Sequence, residues 1–156
     1  MPTYNPYEYP FQYQVHRVQR AVTESLQKLN VYNSGVNILE YLGVETWSDV
    51  ISHLENKRRL WNEKYPHRSM TLTNTQIDHI KPTASFKKKS PGMKIRLSNH
   101  ITNLQPLLTD DNNYKGSIWK DEDEKFWKTY IVLQEYTLIY YPVAKFQPSL
   151  ALGNQM

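Results

Sequence analysis

Gln76-Ile77-Asp78-His79-Ile80-Lys81-Pro82 is the stretch that decides the fold of this chain, and it holds the only adjacent carboxylate and imidazole in the sequence. Ile77 and Ile80 sit among polar residues and Pro82 ends the run, so a short strand is predicted from Thr75 to Ile80. A second strand is predicted over Ile101 to Leu108, which contains Asn103-Leu104-Gln105-Pro106-Leu107. Thr109, Asp110 and Asp111 then have the chemistry of an N-cap and an acidic first turn. The helix they open carries Asn112 and Asn113 and is interrupted by Gly116. Strand, loop, strand and helix in that order make an α+β core.

Working outward, residues on both sides read as helices. Val15, Val18, Val22, Leu26 and Leu29 recur at helical spacing within Gln14 to Leu29. Val36 to Leu42 is a short second helix closed by Gly43, a left-handed cap residue. Glu45 or Thr46 precedes a third, with Trp47, Val50, Ile51 and Leu54 on its apolar face. Downstream, the acidic run Asp121 to Glu124 suits a helix start, and a helix is expected from about Asp121 to Glu135. The Tyr- and Pro-rich residues 1–13 read as an extended arm. Residues 136–143 fit either a strand or more helix, and the tail beyond has no pattern. These elements divide the chain into residues 1–35 (arm and helix), 36–118 (core with its preceding helices) and 119–156 (C-terminal helix and tail).

With 156 residues the chain can bury a modest core without covalent staples, and it has no cysteine. That excludes disulfides, a thiolate nucleophile and Cys-based zinc sites. No secretory signal or transmembrane run is read, so no membrane partner is expected and a cytoplasmic location is compatible. The net charge is +4, unevenly placed: Lys81 to Arg96 contains six basic residues and no acid, with Ser90, Pro91 and Gly92 at the centre of what reads as a loop. A local basic patch suggests a polyanion such as nucleic acid; a solvated lysine loop has the same composition.

Asp78 offers an anionic oxygen, the ligand a hard cation such as Mg²⁺ prefers, and Asn112 a neutral carbonyl oxygen. His79 is then free to act as a base near neutral pH, and Asn103 can fix its imidazole through a backbone or side-chain oxygen. The alternative is a turn-forming Asp, a surface His and two turn-forming Asn residues. Neighbouring side chains on a strand point to opposite faces, so Asp78 and His79 converge only if the strand twists or ends there. His53 has no partner at metal spacing and reads as structural.

At these residues the sequence resembles the HNH endonuclease family, whose core is the ββα-metal motif. The resemblance rests on Ile77-Asp78-His79-Ile80-x-Pro82, on His100 to Leu107, and on Asp111-Asn112-x-x-Lys115-Gly116. Upstream it extends to Tyr41-Leu42-Gly43-Val44, His53-Leu54-Glu55 and Ser69-Met70-Thr71, so that it covers about Ile38 to Gly116. It is similar to the phage, bacterial and giant-virus group that includes homing nucleases. The resemblance implies a metal-dependent DNA endonuclease with one Mg²⁺ or Mn²⁺ ion. His79 takes the role of general base, Asp78 of metal-binding acid, Asn103 of the Asn that orients the base, and Asn112 of the third, metal-binding position. This makes an H-N-N variant. Asn113 competes with Asn112 for that role, since neighbours on a helix point about 100° apart and only one can face the ion. Lys115 is expected to touch a phosphate. Two features depart from the family: there are no Cys pairs for a structural zinc, and no aromatic near Leu72.

DNA would be delivered by Lys87, Lys88, Lys89, Lys94 and Arg96 in the basic loop, with Arg17, Arg20, Lys57, Arg58 and Arg59 as a second candidate set. No base-reading module is recognisable. RNA as substrate, and a monomer or a dimer, are equally compatible with the sequence. The reading from another class is a catalytically silent nucleic-acid-binding or virion-associated protein that keeps the fold.

Overall fold

A computed structural model of the chain describes residues 10–28, 30, 35–71, 73–87, 89–134, 136 and 138–140. Most of the expected arm, Leu29, Leu72, Lys88 and the tail from 141 onward lie outside the described residues. Helix and strand are mixed: α1 (Pro10–Lys28), α2 (Ile38–Leu42), α3 (Trp47–Lys64), β1 (Thr75–His79), α4 (Pro91–Ser98), β2 (Leu104–Leu108), α5 (Thr109–Lys115) and α6 (Asp121–Phe126). Among the described residues the strands form one two-stranded antiparallel sheet, with Ile77 opposite Pro106 and Asp78 opposite Gln105. No helix among them is long and apolar enough to cross a membrane.

Local chemistry sets the helix ends. Thr46 caps α3 by accepting from Asp49 N, and Asp49 returns the bond to Thr46 N, closing a capping box. Gly43 ends α2 at φ +72°, and a Cβ there would overlap the His100 ring. Only glycine meets both demands, which ties the Gly43 turn to the approach to β2. Two expectations need correction. The first helix begins at Pro10, inside the expected arm, because a proline in the first turn lacks only an N–H that has no helical partner anyway. The Ser90-Pro91-Gly92 segment is a helix start rather than a loop: Ser90 Oγ accepts from Met93 N, Pro91 takes the first position, and α4 follows.

The second strand ends at Leu108 as expected but begins only at Leu104, because Ile101–Asn103 form a 3-10 turn. Thr109 is the first residue of α5 rather than its side-chain cap, and its N–H donates to Asn74 O. The expected C-terminal helix is irregular: α6 runs into a wide turn, Trp127–Ile131, where Val132 N reaches back to Trp127 O, and the path ends at Gln134 with φ +58°. Of residues 136–143, the described ones take no regular structure.

The predicted stripe of α1 (Val15, Val18, Val22, Leu26) packs in one buried cluster with Leu42, Val50, Leu54 and Leu104. Burying each of the larger side chains is worth about 1.5–3 kcal/mol. A second cluster joins Trp61 and Met70 to Leu107, and a third packs Ile80 with Ile131 and Tyr140. The hairpin is thus held from the helical side and from the C-terminal side together. Lys57, proposed for nucleic acid, is instead buried and donates to the carbonyls of Tyr136 and Leu138.

His53 is structural, as its lack of partners suggested. Its Nε2 lies 2.8 Å from Leu104 O, and burial, helped by the charge of Lys57 and opposed by that carbonyl, lowers its pKa to about 4. The unfolded chain takes up this proton near the ordinary value of 6.5, the folded chain only near 4. The contribution of His53 is therefore intact above pH 6.5 and is lost as pH falls toward 4. Denaturant titrations should show up to about 3 kcal/mol lost over that window. His53→Gln, which can still donate to Leu104 O, should flatten the loss; an unchanged slope would refute this assignment.

Candidate functional site

Gln76 and Asp78 lie on the same side of β1, two residues apart. Asn112 and Lys115, one helical turn apart on α5, meet them there. Asn112 Nδ2 donates to Gln76 Oε1 at 2.7 Å, and Lys115 Nζ donates to Asp78 Oδ1 at 2.9 Å. The i, i+3 pair on the helix thus matches the i, i+2 pair on the strand. Lys115 also donates to His79 O at 2.8 Å, and its side chain is 1% exposed. The other carboxylate oxygen of Asp78 accepts from Gln105 Nε2 at 3.0 Å. Lys115, expected at a phosphate, is therefore sealed against Asp78 instead.

Gln105 is buried and fully engaged. Its Oε1 accepts from Tyr140 N and its Nε2 donates to Tyr140 O, both at 2.8 Å, besides the bond to Asp78. The side chain acts on Tyr140 as a neighbouring strand's backbone would. It connects Asp78 to a second buried polar group, since Tyr140 OH donates to Asp123 Oδ1 at 3.0 Å.

His79 closes β1, and its Nε2 lies 2.9 Å from Asn99 Oδ1 at the end of α4. Asn99 Nδ2 donates to Ile95 O at 2.9 Å, which fixes the amide with its oxygen toward the imidazole. An amide oxygen only accepts, so Nε2 is the donor, and in the neutral tautomer that this selects Nδ1 is the acceptor. Among the described residues Nδ1 has no hydrogen-bond partner. Asn99 therefore does what was expected of Asn103.

Asn103 is completely buried and does not hydrogen-bond the imidazole. Its Oδ1 accepts from Lys81 N (2.8 Å) and Trp127 Nε1 (3.0 Å); its Nδ2 donates to Ser98 O (2.8 Å) and Lys81 O (3.1 Å). Its backbone oxygen accepts from Ile80 N at 2.8 Å. The side chain pins the chain just after His79 to the end of α4 and to the wide turn. It holds the turn that the imidazole stands on.

Asp78, His79, Asn112 and Lys115 border one cleft of about 210 Å³, completed by Ile77, Pro82, Thr83 and Gly116. Asn113 is exposed and lies outside it, which resolves the choice of which Asn faces the cleft in favour of Asn112. Gly116 bends the chain there at φ +56° and ψ −138°, a conformation essentially confined to glycine. His79 also borders a second cavity of about 250 Å³ with Arg17, Gln76 and Asn99. It therefore stands at the boundary of the two.

The basic residues divide. Lys87 and Lys89 are exposed and line a third cavity, of about 390 Å³, with Phe86, Trp127 and Lys128, across the Pro82–Ser85 turn from the first cleft. Lys81, at its base, lies between the rings of Phe86 (4.5 Å) and Trp127 (4.7 Å) and pairs with Glu124 at 2.8 Å. Arg96 is drawn away, its guanidinium 4.4 Å from the Tyr41 ring centroid. Lys94 is half-buried on the same helix, and Lys88 lies outside the described residues. Of the second set, Arg58 pairs with Glu55 and Arg59 with Glu63.

Comparison of the chain with protein-family models, with curated proteins and with solved structures finds no significant match. The sequence reading missed Asn99, Gln105 and Trp127. Gln105 was visible as the one hydrogen-bonding side chain inside the apolar Leu104–Leu108 run. Asn99 and Trp127 carried no local signal, because their contacts span 20 and 24 residues.

Proposed function

We infer that this protein is a metal-dependent endonuclease that hydrolyses phosphodiester bonds of DNA, with a ββα-metal core formed by β1, β2 and α5. The observation that carries the reading is the cleft shared by Asp78, His79 and Asn112, bordered by an imidazole whose Nε2 is held by Asn99 and whose Nδ1 is left as an acceptor.

The residues present fit a divalent ion only as a partial shell. No group of three or more His, Cys, Asp or Glu converges among the described residues, so these residues offer no complete cage. Asp78 contributes one anionic carboxylate and Asn112 an Oδ1 that takes part in no hydrogen bond among the described residues, its Nδ2 being held by Gln76. Two protein oxygens completed by water and phosphate oxygens suit Mg²⁺. Asp78 and Asn112 would hold one such ion, which would supply Lewis acidity. His79 Nδ1 takes the proton of the attacking water. By accepting from Nε2–H, Asn99 fixes the neutral ring in the tautomer whose Nδ1 is the acceptor, and Asn103 fixes the turn that carries the imidazole. Lys87, Lys89 and Lys128 neutralise backbone phosphates beside the cleft.

The products expected are a 5′ phosphate and a 3′ hydroxyl, so nicks in plasmid DNA should be resealed by DNA ligase. Nicks that ligase cannot close would contradict the chemistry, and equal cutting of RNA would contradict the choice of substrate. Asn99 has its own test. Asn99→Ala should lower kcat about 10–100-fold with KM little changed, because the ring loses its fixed tautomer but the phosphate contacts remain. Asn99→Asp, which restores an acceptor, should recover part of the loss. An unchanged kcat in Asn99→Ala would remove the positioning role.

A further inference from the structure

Asp78 already has a cation. Lys115 Nζ lies 2.9 Å from Oδ1, both side chains are buried, and the pair is formally neutral. Gln105 occupies the other oxygen and His79 O accepts a second N–H of the ammonium. The acidic residue on the buried side of α5, Asp111, faces Arg68 at 3.5 Å instead. A free divalent ion reaching this cleft would meet no net negative charge, and beside it an ammonium with which it must share the same oxygen. A nucleic-acid phosphate changes both terms: it brings negative charge and oxygen ligands, and gives the ammonium another acceptor. The flexible four-carbon stem of a lysine lets Nζ change partners without moving the backbone.

Building on the reading of Asp78 as a metal ligand, we propose that Lys115 is a resident counter-ion that closes Asp78 to free divalent ions. It gives up the carboxylate only when a nucleic-acid phosphate takes its ammonium. Ion and nucleic acid then load together, each raising the affinity for the other by the same factor. The protein thereby avoids holding an armed ion without substrate.

The test is Mn²⁺ binding followed by electron paramagnetic resonance, in the His79→Ala chain so that DNA stays intact. A short DNA duplex, with its own Mn²⁺ binding subtracted, should raise affinity about tenfold or more. Lys115→Met should raise the DNA-free affinity by a similar factor and shrink the effect of DNA. Lys115→Gln, which can still donate a hydrogen bond to the buried carboxylate, gives the same comparison if the Met variant does not fold. DNA-free affinity unchanged or lowered in the folded variant, or a parent chain that binds Mn²⁺ equally well with and without DNA, would overturn the proposal. Asp78→Asn separates the two levels. If it abolishes Mn²⁺ binding while the Lys115 variants show no gain, only the counter-ion role fails. If Mn²⁺ binding survives it, the metal-ligand reading fails and the proposal with it.

Discussion

Replacing His79 with Ala should lower the single-turnover rate of the proposed DNA nicking by about 10²–10⁴-fold, the range expected when a general base is removed, and should leave DNA affinity unchanged. The expectation follows from what the imidazole touches. Its Nε2 meets Asn99, its main chain meets Lys115, and its Nδ1 has no partner among the described residues. Removing the ring takes away the free acceptor while the Lys115 bond to His79 O remains. Asn99 Oδ1 loses its donor, but it borders a cavity of about 250 Å³ in which water can replace the bond. The cost in stability should therefore be near the net value of one hydrogen bond, about 1 kcal/mol. Wild-type nicking by the folded His79→Ala protein would remove His79 from the chemistry.

Asn103→Ala behaves in the opposite way. It strands three buried partners, Lys81 N, Lys81 O and Ser98 O, together with the part-buried Trp127 Nε1. An unsatisfied buried polar group costs about 1–3 kcal/mol, and partial access of water to the gap moderates the sum. The expected loss is about 3–5 kcal/mol, read as a lower denaturant midpoint with an unchanged slope. Asn112→Ala, at a half-buried position, should cost far less. If Asn103 instead oriented the base directly, its replacement would abolish nicking at nearly wild-type stability. That result would overturn the role assigned here.

The parts of the fold written in local chemistry were legible in the sequence. The α1 stripe, the Thr46 cap, the Gly43 stop and the two strands each depend on residues within a turn or two of one another. The α4 start was equally local, yet Ser90-Pro91-Gly92 reads as a loop because the same three residues serve turns as readily as a helix start. The site was legible as a set of residue types but not as a set of contacts. Asp78, His79 and Asn112 do border one cleft, while the partner of the imidazole is Asn99 rather than Asn103. Choosing between them requires the packing of α4 against the hairpin, which no spacing in the chain encodes. The burial of Lys115 was hidden for the same reason, since a lysine followed by glycine at a helix end usually faces water.

The most direct test of metal-dependent DNA cleavage is conversion of supercoiled plasmid by the unaltered chain, with Mg²⁺ in one arm and EDTA in the other. Nicked circles that accumulate with Mg²⁺ and are absent with EDTA are the predicted result. Plasmid that is bound equally in both arms but never nicked, with Mg²⁺ or Mn²⁺, would contradict the account and mark the protein as a binder that does not cut.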